Sequence, residues 1–205
     1  MMQEKRAGEL VDDYATPIER SLQRIHGMRS LIMNLLDFTK IRLERKEEKI
    51  QEVNLSEVAS AAIVTFQPYA IQMDVNVILD VRSDVTIMAD PDDIEIVFNN
   101  LLSNAVKYNK IGGKAEIVID CSDTEAIMII SDTGIGITKN DTENLFEEFV
   151  RIRNEKTRNI SGSGLGLSIV RKVVELYHGT IKVESTPDVG SVFTIRLPMK
   201  QLALI

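Results

Sequence analysis

Asn100 and Asn104 stand one helical turn apart, and Lys107 follows three residues later, so two amide oxygens and an ammonium share one row of a helix. Amide carbonyls can replace waters around a hard cation such as Mg²⁺, and the ammonium can neutralise a phosphate. Asp132 ends an apolar, strand-like run and opens the sequence Asp132-Thr133-Gly134-Ile135-Gly136-Ile137. A carboxylate only accepts hydrogen bonds, so at a pocket floor it reads an exocyclic amine such as that of adenine and rejects a keto group. Gly134 and Gly136 leave room for a flat ring against the backbone. A third pattern, Gly162-Ser163-Gly164-Leu165-Gly166-Leu167, opens a helix and offers backbone amides and the positive end of the helix dipole to an anion. Arg151 lies in the loop between the second and third patterns, where a cation can meet a terminal phosphate.

Taken singly, each pattern also fits a plainer reading: solvated asparagines, an Asp-Thr-Gly turn, a loop arginine in water. The glycine pattern is not a dinucleotide fingerprint, because it reads GxGxG with no preceding strand and no βαβ unit. No GxxxxGK[ST] loop occurs anywhere in the chain.

The elements that must hold these residues follow from periodicity. Residues 16–50 contain no proline except Pro17, at a first-turn position, and predict one long helix. Its apolar residues form two adjacent stripes, Ile18, Leu22, Ile25, Ile32, Leu36 and Leu43 beside Met28, Leu31, Leu35 and Phe38. Such a width suits a four-helix bundle better than a two-stranded coil, so the missing partners are expected from a second copy or from other sequence. Residues 51–55 read as a linker and 56–200 as a second domain. Within it the pattern predicts helices at 56–73, 91–109 and 165–177 and strands at 76–81, 86–89, 114–121, 126–131, 180–185 and 191–197. Three helices and a mixed sheet of five or six strands result. Residues 138–163 are expected to form a mobile loop with one helical turn, a length that is usually functional.

With 205 residues, 44% hydrophobic and 5% aromatic, the chain has an aliphatic core and room for one domain plus an extra element. A net charge of −7, from 24 basic and 31 acidic residues, argues against nucleic acid or anionic membrane as a partner. The single cysteine, Cys121, is expected as a buried structural thiol. No apolar stretch reaches the ~20 residues of a membrane span and the first residues lack a signal pattern, so this segment is expected in the cytoplasm, whatever anchor a parent chain carries upstream.

In order along the chain, NNLLSNAVKYN, SDTGIGI, LFEEFVRI and GSGLGLSIV resemble the N, G1, F and G2 boxes of the catalytic domain of sensor histidine kinases, and GSVFTIRLP (190–198) resembles that family's final strand. LIMNLLDFTKIR resembles the second helix of the dimerisation and phosphotransfer domain. The resemblance implies a two-layer α/β sandwich, the Bergerat ATP-binding fold, preceded by a bundle-type helix from residues 1–50. It implies ATP and Mg²⁺ as cofactors, with Asn100 and Asn104 on the metal and Lys107 and Tyr108 on phosphate or ribose. Asp132, Gly134, Gly136 and Ile137 would form the adenine pocket. Gly162, Ser163, Gly164, Leu165, Gly166 and Leu167 would form the phosphate edge and lid hinge, with Arg151 on the γ-phosphate; Asn104, Lys107 and Arg151 would serve catalysis. The implied partners are a phosphoacceptor domain of the same or a partner kinase, a response regulator receiver domain, and a second copy through residues 16–50. The family's acceptor box, H-[DE]-x-[KR]-[ST]-P, is not matched: His26 is followed by Gly27, His178 is expected to cap a helix end, and the box is expected upstream of Met1. Self-phosphorylation of this segment is therefore not expected. A gyrase-type ATPase, a serine kinase of the anti-sigma-factor class and a non-catalytic adaptor are the alternatives. Against the first, a water-activating glutamate of such ATPases corresponds to the neutral Asn100.

Overall fold

The computed structural model describes residues 49–152, 154–158, 160 and 162–199, together with Ile18, Ser21, Ile25 and Ile32. Those four early residues are helical. The other residues of the long helix expected over 16–50, up to 48 and with His26, lie outside the described residues, while Lys49 and Ile50 are not α-helical.

The described chain runs β1 (Gln51–Asn54), α1 (Leu55–Gln72), β2 (Val75–Val81), β3 (Thr86–Ala89), α2 (Pro91–Lys107), β4 (Gly113–Cys121), β5 (Glu125–Asp132), α3 (Lys139–Thr142), α4 (Gly166–Leu176), β6 (Thr180–Thr186) and β7 (Gly190–Pro198). Five strands form a mixed sheet in the order β2-β4-β5-β7-β6, parallel only between β2 and β4. Helices α1, α2 and α4 make the second layer: α1 packs on β2 and β4, α2 on β4 and β5, α4 on β6 and β7. This is the α/β sandwich expected from the sequence.

Residues 51–54, expected as linker, instead pair antiparallel with β3, Gln51 opposite Ala89 and Asn54 opposite Thr86. The partner strand lies some thirty residues away, so no local pattern marks the pairing. Asn54 then caps α1, its side chain accepting from the Ser56 and Glu57 amides at 2.9 and 3.3 Å.

Alternation along the strands builds the core in cross-strand rows. Ile117, Ile130, Phe193 and Val183 form one, and Ile119, Met128, Ile195 and Ile181 the next. On the helix side, Ile94, Val97, Phe98, Leu101, Leu102, Ala105 and Val106 give α2 a buried stripe. Each such side chain contributes on the order of 2 kcal/mol by leaving water. Cys121, expected inside, is exposed, because it is the last residue of β4, beside the turn closed by the Ser122 amide on the Glu125 carbonyl at 2.8 Å.

Candidate functional site

The row after Ile130 continues the inward parity of β5, and there the apolar series stops: Ala115, Asp132, Ser191 and Ser185 stand side by side. Asp132 therefore occupies a core-facing position at the end of the sheet, where a carboxylate becomes the floor of a pocket. Its Oδ1 accepts the Gly134 amide at 2.8 Å, and Ser191 donates to it as well. Burial pushes its pKa above the usual carboxylate value against these hydrogen bonds. Ser185 accepts the Ile137 amide at 2.8 Å, which clamps the turn after Asp132 onto the β6–β7 hairpin.

Helix α2 begins with Asp90 at its cap, accepting from the Asp92 amide at 3.0 Å, and Pro91 at its first position. With the apolar stripe turned to the sheet, Ile96, Asn99, Asn100, Ser103, Asn104 and Lys107 line a cavity on another face. The Asn100 amide nitrogen donates to the Ile96 carbonyl at 2.9 Å, which aims its oxygen at the start of α4. A Cβ on Gly166 would stand 2.6 Å from that oxygen, so a side chain at the first residue of α4 would displace the Asn100 carboxamide. The Asn104 carboxamide has no protein partner among the described residues, and Asn99 Oδ1 is buried without one.

Unlike α1, α2 and α3, α4 has no side-chain cap among the described residues, and Gly166 and Leu167 of its first turn line the cavity. Ahead of it Gly164 holds φ +76°, and its carbonyl accepts the Phe149 amide at 3.0 Å, tying the glycine run to the preceding segment. That segment contains α3, placed before LFEEFVRI rather than inside it, and a turn in which Asn154 Oδ1 accepts from the Lys156 and Thr157 amides at 2.9 and 3.0 Å. Arg151 lines the cavity and donates to the Ile160 carbonyl.

All three sequence patterns meet around one cavity of about 410 Å³. Asn100, Asn104, Lys107, Tyr108, Asp132, Gly136, Ile137, Arg151, Gly162, Ser163, Gly164, Gly166 and Leu167 line it. Gly134 and Leu165, expected among them, do not. Gly134 is instead pressed against the chain behind, since a Cβ there would lie 2.2 Å from the Tyr108 carbonyl oxygen. Leu165, 2% exposed, is packed inside instead. Phe66, Asn99, Ser103, Thr157 and Ser191 line the cavity without having been singled out. The spacing of Asn99 and Ser103 on the α2 row would have found two of them, whereas Phe66 and Ser191 join through non-local packing.

The cavity carries a local positive charge in an acidic protein. Lys107 forms no ion pair among the described residues; its ammonium lies 5.6 Å from the Tyr108 ring centroid. Burial, with the Arg151 charge adding, lowers its pKa to about 8. Burial also raises the Tyr108 phenol, with Arg151 opposing. Two cations, a helix start without a side-chain cap and a carboxylate floor around a cavity of about 410 Å³ suit a molecule with a phosphate tail and an amine-bearing ring.

Residues 89–201 match the family of histidine kinase-, DNA gyrase B-, and HSP90-like ATPases. The chain belongs to that family. Within it the chain is similar to the sensor histidine kinase RcsC of Salmonella typhimurium, 30% identical over 188 residues, which are 89% of this chain and 20% of the relative. The circadian input-output histidine kinase CikA of Synechococcus elongatus is 34% identical over 176 residues, 84% of this chain and 23% of that one. The chain thus spans about a fifth of these curated relatives. Among solved structures, the catalytic domain of histidine kinase ThkA has a TM-score of 0.65 at 28% identity, covering 73% of this chain and 95% of that domain. A mycobacterial sensor histidine kinase, MprB, has a TM-score of 0.65 at 25% identity, covering 75% of this chain and 99% of the other. Residues of this chain therefore form an ATP-binding catalytic domain of the histidine kinase kind. No helix among the described residues is long and apolar enough to cross a membrane.

Proposed function

We propose that this chain is the ATP-binding catalytic part of a two-component sensor histidine kinase and delivers the γ-phosphoryl of ATP to a histidine on another domain. The observation that carries the reading is the meeting of the α2 carboxamides, Asp132 and the start of α4 at one cavity containing the Lys107 ammonium, which has no ion pair among the described residues. Asp132 accepts from the adenine amine, and Gly136 and Ile137 flank the ring. Lys107 and the first-turn amides of α4 hold the phosphates, with Arg151 at the far end of the tail. No catalytic base is needed here, because the incoming imidazole is itself the nucleophile.

Mg²⁺ fits the donor set. The free Asn104 carboxamide and the Asn100 oxygen are neutral hard ligands, and no cluster of three or more His, Cys, Asp or Glu occurs among the described residues. Asn100 and Asn104 would hold the ion, which neutralises phosphate charge when bound. The loop from 138 to 163 shields the phosphates from water, and Asn100, being neutral, does not activate water; hydrolysis is expected to be slow. Residues 1–50 are read as part of a dimerisation and phosphotransfer region, a second copy as its partner, and a receiver domain as the downstream acceptor.

Calorimetric titration with Mg·ATP tests the reading. Wild-type chain should bind ATP, and Asp132→Asn should weaken it by about a hundredfold, roughly 3 kcal/mol, since the amide presents a donor to a donor. Absence of ATP binding in magnesium buffer defeats the assignment. Adding an acceptor domain that carries the histidine box should yield acid-labile phosphate, whereas acid-stable label on a partner would point to a serine kinase.

A further inference from the structure

Helices α2 and α4 pack against each other and run in opposite directions: the start of α2 meets the end of α4, and Asn100 meets the start of α4 at Gly166. The end far from the cavity is closed by a directional cluster in addition to apolar packing by the core residues Ile94, Val173 and Val174. The Tyr177 hydroxyl, in a residue 9% exposed just past α4, accepts the Asp90 amide at 2.9 Å and donates to Asp93 Oδ2 at 2.7 Å. Asp93 belongs to the first turn of α2, where burial and the neighbouring Asp90 and Asp92 charges disfavour its ionised form and the Tyr177 hydrogen bond supports it. The Lys49 ammonium, two residues before β1, lies 3.3 Å from Asp92 Oδ2 and 3.9 Å from Asp90 Oδ2.

We propose that Tyr177 and Asp93, with Lys49 paired to the neighbouring Asp90 and Asp92, are positioning residues for the phosphate end of the cavity, fixing the spacing of α2 and α4 and linking it to the segment through which the chain enters the domain. The inference rests on the ATP-binding reading given above. A hydroxyl that donates in one direction and accepts in another fixes register and tilt, which an apolar contact does not. From this pin α4 extends about 16 Å to Gly166, at 1.5 Å per residue, so a small change of tilt at Tyr177 moves the glycine-rich start relative to Asn100. The base end is held differently. Asp132, Ser191 and the clamped Gly136 turn stand on the β5–β7 ladder, to which the hydrogen bonds of the pin do not run among the described residues.

Loss of the pin should therefore separate the two halves of the ligand. With the full chain, titration of Tyr177→Phe and of Asp93→Leu is expected to show about tenfold weaker Mg·ATP binding, with adenosine affinity unchanged within about twofold. Asp93→Asn, whose amide oxygen still accepts from Tyr177, should restore Mg·ATP binding to within about twofold of wild type. Lys49→Glu, a surface change that leaves folding intact, should weaken Mg·ATP about threefold and leave adenosine alone. Equal losses for both ligands, no loss for either, or no rescue by Asp93→Asn overturns the positioning role; an unchanged Lys49→Glu overturns the link to the entering segment. Wild-type chain that fails to bind ATP at all sinks the functional reading instead.

Discussion

Replacing Lys107 with methionine should make the nucleotide-free protein more stable while weakening its hold on Mg·ATP. Folding lowers the ammonium from 10.5 to about 8, chiefly by burial and also through Arg151. At about 1.36 kcal/mol per pH unit, keeping the charge in the empty cavity destabilises the folded chain by roughly 3 kcal/mol. The folded state binds this proton less tightly than the unfolded chain. The destabilisation is thus fully present below pH 8 and is relieved as the pH rises from about 8 towards 10.5. Methionine keeps an unbranched stem without the charge, so at pH 7 the variant should gain about 1–3 kcal/mol in urea unfolding, an advantage that fades by about pH 10. Bound phosphate reverses the shift. At pH 8 half of the free protein lacks the proton, so ATP binding should take up about half a proton per site. Titration at pH 8 in two buffers of different ionisation enthalpy reads that uptake directly, well above the roughly pH 6 at which phosphate groups lose their second proton. Identical heats in the two buffers, or a less stable variant at pH 7, would refute the reasoning.

Other substitutions probe other parts of the cavity. Gly166→Ala adds a Cβ 2.6 Å from the Asn100 oxygen, so Mg·ATP affinity should fall about tenfold by calorimetry, while Tm holds or rises because alanine favours a helix by up to about 1 kcal/mol. Gly134→Ala drives a Cβ to 2.2 Å from the Tyr108 carbonyl oxygen, an unyielding backbone atom, and should lower unfolding free energy by about 2–4 kcal/mol although the residue does not line the cavity. Asn99→Leu removes a buried oxygen without a partner and should raise stability by about 1 kcal/mol in thermal or urea melts.

Elements governed by local rules were legible in the sequence. Asp90-Pro91 marked the start of α2, and alternation located β4, β5 and β7 to within a residue at most ends. The linker reading of 51–55 failed because β1 exists only through its pairing with Thr86–Ala89. Cys121 keeps the inward parity of β4 yet reaches solvent at the strand's end, a matter of where the sheet stops rather than of pattern. At the close of α4, His178, expected to cap a helix end, takes the left-handed turn at φ 55°, its amide donating to the Glu175 carbonyl at 3.0 Å. Gly179 is required beside it: a Cβ would lie 2.5 Å from the Arg196 carbonyl oxygen, across on β7. In the cavity, residues with distinctive chemistry could be named in advance. Ser191 and Phe66 could not, since their places follow from strand register and helix packing.

The carboxylate floor belongs to the β5–β7 ladder while the cations and the glycine run belong to helices and loop; if the cavity holds ATP as proposed, a spent diphosphate would keep its adenosine anchorage and surrender only its outermost contacts. Under the proposed reading, spent and fresh coenzyme compete almost evenly for the same seat. Signalling output would then follow the energy charge of the cell as well as any stimulus.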